Sequence, residues 1–117
     1  MREPLRDPVR LQHILEAISN IEKGAEGVTL QDLKDNVMLR HGLTWNIMVI
    51  GEAANKLTKE FCAEHPATDW RAITGMRNVL VHDYYQINES ELYSVIQDDI
   101  PCLKTQILEY YDECKDK

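Results

Sequence analysis

Apolar residues recur along this chain at steps of three and four almost throughout, which is the period of an amphipathic α-helix. Asp7-Pro8 opens the first segment, with Asp as the cap and Pro at the first helical position. Leu11, Ile14, Leu15, Ile18 and Ile21 then form one stripe, and Lys23-Gly24 closes it. Thr29 and Asp32 have the spacing of a capping box for a short second helix reaching about Asp35. The third segment is the longest, about Asn36 to Cys62. Leu39, Leu43, Ile47 (or Asn46), Ile50, Ala54, Leu57 and Phe61 make its core stripe. Trp45, Met48, Val49 and Ala53 make a second stripe on another face. Two apolar faces put this helix either at the centre of a bundle or against a second subunit. Gly51 inside it costs about 1 kcal/mol against Ala, and a close helix approach would account for it.

Asp69 caps a fourth helix predicted from Trp70 towards Tyr85, with Trp70, Ile73, Leu80 and Tyr84 on one stripe. Asn88 and Glu91 form another capping box. A last helix follows, with Leu92, Val95, Ile96, Leu103, Ile107 and Tyr111 inward. Pro101 sits within that pattern and should kink it. There are no strand signals, repeats or linkers. The expected fold is all-α: an up-and-down bundle of four main helices plus a short extra helix, with residues 1–117 as a single domain.

Composition narrows the function. A net charge of −7 removes the basic field with which a protein coats nucleic acid, so action on RNA requires a small local basic site or a partner that supplies charge. No run approaches the ~20 apolar residues of a membrane span, and the first residues do not resemble a signal peptide. Cys62, Cys102 and Cys114 form no CxxC pair and are odd in number, which fits reduced thiols. A cytoplasmic location is the simple expectation.

Against this plain background the stretch RNVLVHDYY, residues 77–85, stands apart. It joins an apolar run to Arg77, Asn78, His82, Asp83, Tyr84 and Tyr85. Histidine suits both proton removal and proton donation near neutral pH. Arginine stays charged and presents a planar fork matched to phosphate. The two together suffice for metal-free RNA cleavage. The base deprotonates a ribose 2′-OH, the adjacent phosphate is attacked, and the guanidinium stabilises the developing charge. On a continuous helix Arg77 and His82 would lie about 140° apart, whereas Asn78 and His82, four apart, would share a face. A two-fold dimer could gather two Arg and two His in one cleft, with Val79, Val81 and the second stripe of the third helix at its interface. The structural alternative is that His82 bonds a backbone group or a carboxylate, and Arg77 pairs with an acid such as Glu52.

Other candidates carry less. His13 and Glu16 are spaced as two metal ligands on one helix face, but nothing nearby completes a set, so no metal is assigned. His41 and His65 read as surface residues. Asp99 falls on the inward stripe beside Asp98 and is expected to hydrogen-bond near the Pro101 kink. The cysteines have no adjacent base. No Gly-rich phosphate loop is present, and no cofactor is expected.

RNVLVHDYY resembles the R-x4-H-x-Y signature of HEPN-domain toxins of the HepT type, with Arg77, His82 and Tyr84 in register. Upstream, IGEAANKLTKEF and the run from Pro66 through Trp70 to ITGMRN resemble that family's long third helix and its entry into the signature. The likeness runs from about Leu11 to Tyr111. It implies a small helical bundle that forms a homodimer, with Arg77 and His82 as the catalytic pair of a metal-independent endoribonuclease and Asn78 in support. It also implies a type VII-like toxin–antitoxin pair, in which a cognate minimal nucleotidyltransferase AMPylates the signature tyrosine, Tyr84. Tyr85 offers a neighbouring hydroxyl. RNA, not DNA or membrane, is the expected target. Two other classes stay open: a non-catalytic HEPN subunit that pairs with a nucleotidyltransferase, and a structural helical dimer.

Overall fold

The computed structural model describes residues 7–76, 81–83 and 86–115. The chain is a helical bundle. Helix α1 spans Asp7–Ala25, α2 Leu30–Asp35, α3 Val37–Asn55, α4 Lys59–Glu64 and α5 Trp70–Thr74. Two short strands follow, β1 (Val81–Asp83) and β2 (Gln86–Ile87), then α6 (Glu89–Ser94), a π-helical turn at Val95–Asp99, and α7 (Ile100–Lys115).

Local chemistry sets several boundaries. Thr29 accepts a hydrogen bond from the Asp32 N–H at 3.1 Å while Asp32 Oδ2 accepts from the Thr29 N–H at 2.9 Å, so the expected capping box opens α2. Gly27, at φ 71°, turns the chain between α1 and α2 in a conformation that a side chain would strain. Asn36 caps α3, and Asp69 caps α5 through the Ala72 N–H.

The core is one contiguous cluster. Leu11, Ile14, Ile18 and Ile21 of α1 meet Leu43, Ile47 and Ile50 of α3, and Leu92, Leu103 and Ile107 close the far side. Helix α1 runs antiparallel to α3, because Asp7 bonds Thr58 at one end and Asn20 bonds Asn46 at the other. Lys104 reaches Glu22 at 2.9 Å, which ties the start of α7 to the end of α1. Helix α3 also packs on α2, α5 and α6, so its two apolar faces reflect a central place in the bundle. Of the second stripe, Ala53 is buried, Met48 and Val49 are half-buried, and Trp45 is open, at 63% exposure. Gly51 makes the predicted close approach: a Cβ there would lie 3.4 Å from the carbonyl oxygens of both Ile73 and Thr74.

Four expectations are corrected. The third helix is broken, α3 ending at Asn55 and α4 beginning at Lys59. Thr58 caps the new start by accepting from the Phe61 N–H, which a residue in mid-helix could not do. The fourth helix does not run to Tyr85. Gly75 closes α5, Met76 is helical again, and Val81–Asp83 is extended. The β-branched and aromatic residues of this stretch favour a pleated strand as much as they suit a helix core. Strands β1 and β2 pair antiparallel, Val81 with Ile87 and Asp83 with Gln86, with an irregular register between the two pairs. Asp99 points to solvent rather than inward. Tyr110, at 6% exposure, takes the core place predicted for the half-buried Tyr111. From the buried Ile107, steps of three and four reach Tyr110 and Tyr111 alike, and Tyr110 is the one that meets Phe61, His65 and Thr68. A π turn at Val95–Asp99 precedes α7. It ends two residues before Pro101, where the missing N–H and the ring clash disturb regular α-helical bonding.

Candidate functional site

Arg77, Asn78 and Tyr84 lie outside the described residues. The backbone of His82 is described, at the centre of β1. An extended backbone at His82 removes the helical face it was expected to share with Asn78. The four-residue spacing relates the two only on a continuous helix.

The elements on either side of the signature are firmly held. Helix α5 rests on α3 through the Gly51 approach, and Met76, 6% exposed, enters the core directly before Arg77. After the signature, Ile87 packs against the core, and Asn88 caps α6 through the Glu91 N–H at 3.0 Å. The β1–β2 pairing joins these anchors. Both ends of the segment that carries Arg77, His82 and Tyr84 are therefore tied to packed elements rather than to a long free loop.

A cavity of about 290 Å³ opens beside Met76, lined among others by Thr68, Asp69, Ile73, Asp99, Cys102 and Gln106. One wall is ordered by a buried hydroxyl network. Thr68 Oγ1 lies 2.7 Å from both Gln106 Oε1 and the Tyr110 hydroxyl, and Gln106 donates to the Ala67 carbonyl. At its rim Asp99 has its carboxyl raised above the ordinary aspartate range, by partial burial first and then by the charges of Asp98 and Glu91.

His65 was expected at the surface. It is instead half-buried, with Nδ1 2.8 Å from the Phe61 carbonyl oxygen and Nε2 3.2 Å from Glu113. Its ring packs edge-on to Phe61 and against Tyr110, and Trp70 Nε1 donates to its carbonyl. This aromatic group pins the α4–α5 turn to α7. Tyr110 and Glu113 are remote in sequence, and only the nearness of Phe61 and Trp70 to His65 could have hinted at the cluster.

His41 is exposed, as expected. Glu16 accepts from Gln12 Nε2, and no group of three His, Cys, Asp or Glu able to hold a metal occurs among the described residues. No helix among them is long and apolar enough to cross a membrane.

Bundle and signature together define an all-α protein of the HEPN type. Residues 14–110 match the family described as Ribonuclease HepT-like, and the chain belongs to that family. It is 31% identical over 99 residues to a protein of Caldanaerobacter subterraneus subsp. tengcongensis named "putative RNase", covering 85% of this chain and 88% of that one. A "putative RNase" of Methanocaldococcus jannaschii is 26% identical, covering 83% of this chain and 89% of the relative. The "probable ribonuclease HepT" of Thermococcus cleftensis is 30% identical, covering 80% and 86%. No solved structure matches the chain.

Proposed function

We propose that this protein is a metal-independent endoribonuclease, the toxin of a type VII-like toxin–antitoxin pair, with Arg77 and His82 as its catalytic pair. The observation that carries this reading is the family match over residues 14–110, which contains the whole R-x4-H-x-Y signature. The ribonuclease names of its relatives support it further.

His82 takes the proton of a ribose 2′-OH. The freed 2′-oxygen attacks the adjacent phosphorus, and the bond to the 5′-oxygen breaks as that oxygen gains a proton. The products are a 2′,3′-cyclic phosphate and a 5′-OH. Arg77 stabilises charge on the phosphoryl oxygens, and the Asn78 amide supports the site. Two copies of the chain meet about a two-fold axis and bring two signatures into one cleft. A cognate minimal nucleotidyltransferase transfers AMP from ATP to the Tyr84 hydroxyl, releasing pyrophosphate. The added phosphate and bulk beside Arg77 then compete with RNA.

A net charge of −7 favours a second reading, in which the chain is a non-catalytic partner subunit of a nucleotidyltransferase. Cleavage of RNA in EDTA separates the two, using protein whose intact mass excludes AMP. Loss of cleavage in both His82→Ala and Arg77→Ala, with cyclic phosphate ends from the wild type, establishes the nuclease. No cleavage by unmodified, dimeric wild type overturns the nuclease, and stable co-purification with a nucleotidyltransferase then establishes the partner subunit.

A further inference from the structure

A second cavity, also about 290 Å³, lies between α1 and α3, on residues that the signature chemistry does not use. Trp45, Met48 and Val49 form its apolar floor and lip. Arg10 and His13 of α1 and Glu52 and Lys56 of α3 also line it. Trp45 is the unusual member: an indole 63% exposed is a large flat apolar surface left in water. Arg10 is unusual as well. Its Nε is buried and has no hydrogen-bond partner among the described residues. Two cations elsewhere in the described chain are engaged. Lys104 pairs with Glu22, and Arg40 donates to the carbonyls of Leu33 and Lys34 and approaches Glu89. Among the described residues neither Arg10 nor Lys56 has an acidic partner within ion-pair distance.

We propose that this α1–α3 groove is a binding site for single-stranded RNA, with a base stacked on Trp45 and a neighbouring phosphate held by Arg10 and Lys56. The choice of ligand rests on the nuclease reading. Stacking on an exposed aromatic beside cations is how unpaired strands are gripped without a broad basic surface. That is the requirement a chain of net charge −7 imposes. Trp45 and Lys56 are eleven residues apart on or just beyond α3, so the groove extends about 16 Å, long enough for a short run of nucleotides. Glu52 at the rim accepts from the amino groups of a base edge and repels a misplaced phosphate. Gly51, the neighbour of Glu52, packs on the carbonyls at the end of α5. A strand in the groove therefore lies against the same helix that supports the entry to the signature.

The test uses full-length His82→Ala protein, which is expected to bind without cutting, and a fluorescein-labelled twelve-nucleotide single-stranded RNA at low salt. The tryptophans are replaced by 5-fluorotryptophan, and the Trp45 resonance is assigned as the one missing in Trp45→Phe. The expected result is a shift of that resonance on RNA addition, with anisotropy showing roughly tenfold weaker binding for Trp45→Ala. Lys56→Gln is expected to reduce the salt dependence by about one phosphate contact. Unchanged affinity and salt slope in both variants overturn the proposal. If wild-type protein still cleaves RNA in that case, the nuclease reading stands alone. Binding with a Trp45 shift, but without cleavage by unmodified wild type, upholds the groove and removes the nuclease. A Trp45 resonance that moves with protein concentration and ignores RNA assigns the groove to a second copy of the chain and overturns the proposal.

Discussion

Asp7 and Thr58 are joined by two hydrogen bonds, the Thr58 N–H donating to Asp7 Oδ1 at 2.9 Å and the Thr58 hydroxyl donating to Oδ2 at 2.8 Å. The first residue of α1 thereby holds the break between α3 and α4. The Thr58 oxygen also accepts from the Phe61 N–H, so one hydroxyl closes the break and caps the next helix.

Asp7→Ala and Thr58→Ala are each expected to lower stability by about 1–2 kcal/mol in urea unfolding, with the threonine the more costly because it loses the cap as well. The double variant should lose less than the sum, since both remove the same contact. Additive losses would show that the pair is not coupled.

Gly51 and Gly42 stand on the same helix and should respond differently. Nothing lies within 4 Å of a Cβ at Gly42, so Gly42→Ala is expected to gain about 0.5–1 kcal/mol from helix propensity. Gly51→Ala brings its methyl to contact distance of the Ile73 and Thr74 carbonyls and should leave stability little changed. Gly51→Leu has no room against α5, and a loss of about 1–3 kcal/mol is expected. Thermal unfolding of the three variants checks the ordering.

Asp99 gives a pH dependence of definite sign. Its carboxyl is raised in the folded chain, so the native state holds a proton that the unfolded chain has already released. Stability associated with this group is complete at pH below the ordinary aspartate range and is lost as pH rises through the raised value. Asp99→Asn should therefore raise the melting temperature at pH 7 and leave it nearly unchanged at pH 3. The gain should be no more than about 2 °C, because the side chain is exposed and solvent screens its neighbours. An equal effect at both pH values would assign it to packing instead.

The thiols should separate by environment. Cys62 is half-buried, and burial first, then the nearby Asp7 charge, raise its thiol above the usual range. Cys102 is exposed. Because the thiolate is the nucleophile, timed alkylation with iodoacetamide at pH 7.5 followed by peptide mass spectrometry should label Cys102 at least about tenfold faster. Cys62→Ser should leave the rate at Cys102 unchanged.

Periodicity and caps made most of the bundle legible in the sequence. The stripes of α1 and α3, the Thr29–Asp32 box and the Asp69 and Asn88 caps are short-range features, written within one or two helical turns. So was the Gly51 approach, because a glycine amid good helix formers asks for a spatial reason. The signature was legible too, as an order of residue types, and it led to the family.

What the tertiary structure decided depends on residues remote in sequence. The α3–α4 break depends on Asp7 reaching Thr58, and His65 leaves the surface because Tyr110 and Glu113 come to it. The stretch after Gly75 could be read as helix or strand from its side chains alone. Pairing of Val81 with Ile87 and Asp83 with Gln86 selects the strand, since backbone hydrogen bonds between segments are invisible to a one-dimensional pattern. The chain alone therefore determined which faces are apolar and which residues carry chemistry. Three-dimensional contact decided where the helices stop, because a helix ends where a more favourable partner for its backbone is brought within reach.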